Sequence, residues 1–291
     1  MSALLARFSP RELPPASHTR AAQLADRAVQ ALVAEAVLTP KPALVDRRGC
    51  GAHPDLSLAS LLRSAQSLRA PFHSMALEAS LGSPDVRLRE ALGAIGRNAE
   101  RRMLAATGGS NAHRGAIWAL GLWVAALAHG RAGRTLAESA TLAARLARLP
   151  DRHAPAVPSN GARACRRFGV GGARAEAAAG FPHVLRVGLP ALHAARRRCG
   201  DEQCARLDAL MAIMASLDDT CLLHRGGWPA LRAAQRGARA VLALGGAASV
   251  AGRRALLALD AELLRRYASP GGCADLLAAC LFIDGLYRPG G

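Results

Sequence analysis

Lysine is almost absent from this chain. Of 38 basic residues only Lys41 is a lysine, and the rest are arginine. Aromatic residues make up 3 %, so few rings exist to stack on bases, and the core must be built from Ala, Leu and Val. Ala and Leu are strong helix formers. The seven cysteines contain no Cys-x-x-Cys pair, and no Cys/His set has zinc spacing, which excludes a zinc finger. An odd cysteine count behind a start with no secretory pattern reads as reduced thiols in a cytoplasmic protein. The most apolar stretch, Ala116 to Ala128, is too short to span a bilayer and ends in His129-Gly130-Arg131, so no membrane association is expected. No alternating pattern is long enough for a strand, and no repeat of fixed period occurs.

What is present points to helices. The chain has 291 residues, 51 % of them hydrophobic, enough to bury a substantial core. The expectation is an all-α fold: a single multi-helix domain over residues 17–291, with active-site loops at the helix junctions. Residues 1–16, with Pro10, Pro14 and Pro15, read as a loose arm. Ser17 is placed to cap a helix running to Leu38, which Thr39-Pro40 ends because the residue before proline leaves the helical region. Residues 39–54 must be loop. Further helices are expected from Asp55, from Pro71, from Pro84 to Ala106, through His129, and over 132–148, 183–199, 202–217, 228–244, 249–267 and 272–286. Prolines in 150–161 and glycines in 169–172 mark a mobile loop region, about 150–172.

The formal charge of +17 suggests a polyanionic partner. Its arginines are dispersed, the longest basic run being Arg196-Arg197-Arg198. With so few aromatics, nucleic acid fits poorly and a phosphate-rich small molecule fits as well.

Polar residues able to do chemistry gather in five islands at the helix junctions. The first runs from Glu35 through "TPKP" to Asp46, His53 and Asp55. The second is "AERRMLAATGGSNAHRGA", with Glu100, Thr107, Gly108, Gly109, Asn111, His113 and Arg114. The third, "GVGGARAEAAAGFP", holds Arg174 and Glu176. The fourth, "DDTCLLHRGG", holds Asp218, Asp219, His224 and Arg225, and the fifth, "SPGGCADLLAA", holds Ser269, Gly271, Gly272 and Asp275. Glycine pairs before a helix can cradle phosphate, or simply end one helix and open the next. Neither pair is a Walker loop, since no Gly-Lys-Ser/Thr follows. The Asp218-Asp219 pair can share a cation, or cap a helix. His53, His113 and His224 can serve as acid–base groups or as structural hydrogen-bonders. Glu35 and Glu100 sit late in helices, where the dipole disfavours a negative charge.

Taken in order, the five islands resemble the triphosphoribosyl-dephospho-coenzyme A synthase family, which serves malonate decarboxylase or citrate lyase. The resemblance runs from about residue 25 to 285. It implies an all-helical enzyme that uses ATP and 3′-dephospho-coenzyme A, releases adenine, and makes 2′-(5″-triphosphoribosyl)-3′-dephospho-coenzyme A. It also implies delivery of that product, through a phosphoribosyl-dephospho-coenzyme A transferase, to an acyl-carrier subunit, here assigned to malonate decarboxylase. The chain departs from the usual pattern at Ala43 (usually Gly), Ala112 (Thr), Arg114 (Lys), Cys221 (Asn) and Cys273 (Ser).

On that resemblance Glu35, Asp46 and Glu100 are candidates for oxocarbenium stabiliser and base, and His53 and His113 for contacts to the leaving adenine or a phosphate. Lys41, Thr107, Gly108, Gly109, Asn111, Arg114, Arg174, Glu176, Arg225, Ser269, Gly271 and Gly272 are the expected substrate and phosphate contacts. Asp218, Asp219 and Asp55 are the expected Mg²⁺ ligands. A homodimer is left open. Two other classes compete: a Mg²⁺-dependent N-glycosyl hydrolase of nucleotides, and a basic helical module binding nucleic acid.

Overall fold

The computed structural model describes residues 15–129 and 135–287. Among them there is no strand; the only bridge joins Asp46 and Gly49. The helices in order are α1 (Pro15–Ala36), α2 (Leu58–Ser67), α3 (Arg69–Leu81), α4 (Val86–Ala106), α5 (Arg114–Ala128), α6 (Leu136–Arg148), α7 (Asn160–Phe168) and α8 (Gly172–Ala178). After a π-helical turn (His183–Gly188) come α9 (Leu189–Cys199), α10 (Glu202–Met214), α11 (Thr220–Ala243), α12 (Val250–Arg265) and α13 (Gly271–Tyr287). The fold is all-α.

Two helices form its axis. Twelve residues of α5, from Ala116 to Ala128, are buried, and α13 is buried continuously from Leu276 to Asp284. A helix apolar on every side must be surrounded. These two pack on each other, and α1 lies against both. Alanines in all three let the backbones approach closely, which is how a core so poor in aromatics stays dense. Among the described residues no helix is long and apolar enough to cross a membrane.

Local chemistry sets the helix ends. Ser57 and Ser60 form a capping box on α2, Thr135 and Glu138 one on α6, and Asp85, Asp201 and Ser249 cap α4, α10 and α12. Several boundaries differ from the sequence expectation, and three of them matter for how the chain is organised. The first helix already includes Pro15, ahead of Ser17; the rest of the expected arm, 1–14, lies outside the described residues, as does 130–134. The region 150–172 contains α7, capped by Ser159 and closed by left-handed Gly169. Last, α11 starts eight residues before the expected 228. Gly227 (φ 61°, ψ −162°) and Pro229 break it in the middle, so the "GGWP" signal marks a kink, and an earlier segment, 220–226, precedes it.

The loop after α1 is tightly organised. Asp46 Oδ2 accepts from the Lys41 amide at 2.9 Å and Thr39 Oγ1 at 3.1 Å, and Oδ1 accepts from the Arg48 amide at 2.7 Å. The Ala52 amide donates to Ala43 O at 2.9 Å. Gly51 has φ +58°, and a Cβ there would sit 2.5 Å from Ala43 O, so only glycine closes this turn. Ala43 itself holds φ 53°, a conformation that costs an L-residue about 1–2 kcal/mol and that glycine adopts freely.

Candidate active site

Lys41 is buried, with a side-chain exposure of 1 %, and its Nζ lies 2.5 Å from Glu35 Oε1. The loop ordered by Asp46 turns the lysine back onto the last turn of α1. This buried pair is surrounded by residues from three other islands. Asp275, just after the first turn of α13, is pushed well above the ordinary carboxylate range. Burial is the main cause, and the charges of Glu35 and Asp219 add to it, against one hydrogen bond from the Ala116 amide. Asp275 reaches α5 because residue 115 is glycine; a side chain there would collide with the carboxylate.

Asp219 is buried and caps two helices at once. Its Oδ1 accepts from the Cys221 amide at 2.7 Å, and its Oδ2 accepts from the Cys273 amide at 2.8 Å. Burial raises its pKa and these amides pull it back. The cap ties the start of α11 to the start of α13. Gly271 and Gly272 allow that approach, since a Cβ would meet Cys221 Sγ at 3.0 Å from the first and Asp219 at 3.1 Å from the second.

Two histidines flank the cluster. Arg225 Nη2 lies 3.0 Å from His53 Nδ1 and its Nη1 donates to Ala52 O. A guanidinium can only donate, so Nδ1 is the acceptor and the ring proton sits on Nε2, facing Ser269 Oγ at 2.7 Å. Burial and the Arg225 charge lower the His53 pKa to about 4. His113 is fully buried, with Nδ1 2.7 Å from Ser64 Oγ. Burial and the Lys41 charge lower its pKa to about 4 as well. Its Nε2 is buried and has no hydrogen-bond partner.

The remaining expected residues are placed as follows. Arg114 Nε pairs with Glu100 Oε2 at 3.0 Å, both half-exposed. The "TGGSN" segment is helix punctuation. Thr107 caps α4 and bonds Ser110 O, the Gly109 amide returns to Leu104 O, and Asn111 Oδ1 accepts from the Arg114 amide. Glu176 is buried and accepts from both the amide and the Nδ1 of His183, each at 2.8 Å. That bond, outweighing burial and helped by the Ser216 carbonyl and Asp218, raises the His183 pKa. Arg174 is exposed on α8. Asp55 and Asp218 are exposed, and Asp219 is occupied by amides. Among the described residues no group of three or more His, Cys, Asp or Glu could hold a metal ion, so Asp55, Asp218 and Asp219 do not form one ligand set. His224 is exposed and lines a separate cavity of about 340 Å³ with Arg163, Ala164, Arg167 and Phe168.

Four islands therefore meet: the first through Glu35, Lys41, Asp46 and His53, the second through His113 and Gly115, the fourth through Asp219 and Arg225, and the fifth through Ser269 and Asp275. Sequence reasoning placed Asp275 in the fifth island without giving it a role, and did not use Gly115 or Ser64. Asp275 was detectable as an acid in an island already short of other carboxylates. Gly115 and Ser64 carried no signal, since their importance lies in contacts between distant helices.

Comparison with known proteins places the whole chain in one family. Residues 21–291 match the profile of the ATP:dephospho-CoA triphosphoribosyl transferase family. A Stutzerimonas stutzeri (strain A1501) protein named probable 2-(5''-triphosphoribosyl)-3'-dephosphocoenzyme-A synthase is 57 % identical over 288 residues, covering 98 % of this chain and 96 % of its own. An Azotobacter vinelandii protein of the same name is 58 % identical over 269 residues, 91 % of this chain and 92 % of its own. The 2-(5''-triphosphoribosyl)-3'-dephosphocoenzyme-A synthase of Klebsiella pneumoniae is 54 % identical over 272 residues, 93 % and 97 % of the two chains. No solved structure matches.

Proposed function

The chain belongs to the ATP:dephospho-CoA triphosphoribosyl transferase family, and from that premise we propose how its residues carry out the transfer. The enzyme moves a triphosphoribosyl group from ATP to dephospho-CoA. The bond from C1′ of the ATP ribose to adenine breaks, and C1′ bonds to the 2′-oxygen of dephospho-CoA. The acceptor hydroxyl loses a proton and adenine gains one, so atoms and charge balance.

The observation that carries the reading is the convergence of four islands on the buried Glu35–Lys41 pair beside Asp275. Such a transfer passes through an oxocarbenium-like state, and needs one anionic carboxylate and one that holds a proton. Lys41 orients Glu35 as the carboxylate facing the developing positive charge, and Glu35 takes the acceptor proton as the new bond forms. Asp275, whose surroundings favour the protonated form, donates to the departing adenine. His113 offers Nε2, a buried polar atom left for a ligand. His53 is neutral at pH 7 and holds Ser269 and Arg225 in place. Asp46 shapes the loop. Because Lys41 is engaged with Glu35, the phosphates fall to Arg114, Arg225 and the first turn of α13.

The donor set does not fit an ion held by the protein alone, since Asp219 is saturated by amides and Asp55 and Asp218 stand exposed. Mg²⁺ is proposed only as the ion that travels with the triphosphate, its oxygens supplying the ligands. The product keeps a 5″-triphosphate, so the reaction that consumes it transfers the remainder onto an acceptor with loss of diphosphate. We assign that acceptor to the acyl-carrier subunit of malonate decarboxylase.

Mass spectrometry of a reaction with ATP, Mg²⁺ and dephospho-CoA tests the reading. It should show free adenine and a triphosphoribosylated coenzyme. Adenine and free ribose triphosphate, with dephospho-CoA untouched, would identify a hydrolase instead.

A further inference from the structure

A second charged cluster lies one helical turn from the site. Arg89, Gly93 and Arg97 recur at four-residue spacing on one face of α4, and Glu100, the partner of Arg114, continues that face. Asp151 packs into the gap left by Gly93, where a Cβ would strike its carboxylate. Arg97 Nη1 donates to Asp151 Oδ2 at 2.8 Å, while Arg89 Nη1 is only loosely paired with it at 3.5 Å. The Arg89 guanidinium lies 5.2 Å from the ring centroid of Trp118. Trp118 is on α5, four residues after Arg114, and its Nε1 donates to Ala173 O of α8. The next residue, Arg174, is exposed and close enough to Arg89 to act on its charge.

The charges do not balance. Two guanidiniums, Arg89 and Arg97, share one carboxylate, Asp151, and a third, Arg174, acts on Arg89. The Arg89 side chain is nine-tenths buried and its Nε has no hydrogen-bond partner. Burial, with repulsion from Arg174 and Arg97, lowers its pKa despite Asp151. A buried donor without an acceptor, in surplus positive charge, is a costly arrangement that a bound anion relieves. Planar guanidinium forks suit phosphate oxygens. An ion pair that merely pinned the segment after α6 to α4 would need Arg97 and Asp151 alone.

We propose that Arg89, Arg97 and Arg174, beside Trp118, form a subsite for the phosphate chain of a nucleotide substrate. Its identity as a nucleotide rests on the transferase reading. The location suits that role: Gly115 touches Asp275, and Trp118 lies only three residues further along α5. A nucleotide with its phosphates against Arg89 and Arg174 extends along α5 towards the Glu35–Asp275 pair. Two phosphate chains qualify, the diphosphate of dephospho-CoA and the triphosphate of ATP.

Arg174→Ala is the cleanest variant, because Arg174 is exposed and leaves the Arg97–Asp151 pair intact; Arg97→Gln is the second. Calorimetric titration with each nucleotide alone, and KM and kcat for each, supply the readout. The expected result is a Kd and KM raised about tenfold or more for one nucleotide, with kcat within about twofold and an unchanged melting temperature for Arg174→Ala. Loss confined to dephospho-CoA assigns the subsite to its diphosphate, and loss confined to ATP assigns it to the triphosphate. Wild-type affinity for both nucleotides in both variants overturns the subsite. Failure of the wild-type enzyme to bind either nucleotide overturns the transferase reading instead.

Discussion

Asp275 lies against the bare Cα of Gly115, and the contact joins the N-terminal part of α13 to the first turn of α5. Any side chain at 115 must push the carboxylate away. Gly115→Ala is therefore expected to keep its helices, since alanine favours a helix, while moving Asp275 off its position. A displacement near one ångström in a reacting group costs on the order of 100-fold in rate. Circular dichroism should be unchanged and kcat should fall by about that factor; near-normal turnover would remove Asp275 from the chemistry.

Asp275→Asn separates stability from activity. A carboxyl whose folded pKa is raised binds its proton more tightly in the folded state. Its contribution to stability is fully present below the ordinary carboxylate pKa and is lost as pH rises through the raised folded value. The amide mimics the protonated form and titrates nowhere. The variant should melt higher than wild type at pH 8 and lose the difference towards pH 4, while kcat falls because no proton can be given to adenine. A melting temperature below wild type at pH 8 would show that the ionised carboxylate is the favoured form.

These relationships explain what the sequence could and could not convey. The helices were legible because prolines and glycines such as Thr39-Pro40 and Gly108-Gly109 mark their junctions, and because α5 is apolar over nearly its whole length. The early segment of α11 was not, because its cap, Asp219, also looked like half of a metal-binding pair. The islands were legible as positions, since polar residues stood out against an Ala/Leu background. Their pairings were not: Lys41 with Glu35, His113 with Ser64 and Asp275 with Gly115 depend on how distant helices cross. A lone lysine reads as a phosphate ligand until the loop is seen to turn it inward.

That inward turn gives Lys41 a stability role. Removing one member of a buried ion pair leaves the other charge uncompensated, at a cost of about 3–5 kcal/mol. Lys41→Met should be strongly destabilised in urea, and adding Glu35→Gln should recover much of the loss while the enzyme stays inactive. Additive destabilisation by the two changes would mean that the residues do not act as a pair.

His53 and His113 bring a pH dependence of the opposite sign to that of Asp275. Both are lowered from 6.5 to about 4, chiefly by burial. A histidine with a depressed folded pKa contributes stability that is fully present above 6.5 and is lost as pH falls towards 4, because the unfolded chain takes up the proton first. For fully buried His113 the contribution reaches about 3 kcal/mol, and for partly exposed His53 it is smaller. Unfolding followed by urea from pH 7.5 to 4.5 should show a steep fall below 6.5, reduced in His53→Gln. Nitrogen-detected NMR should find both rings neutral at pH 6, with the His53 proton on Nε2 because Arg225 occupies Nδ1. An imidazolium signal from His53 at that pH would contradict the Arg225 contact, and with it the neutral, positioning role given to this ring.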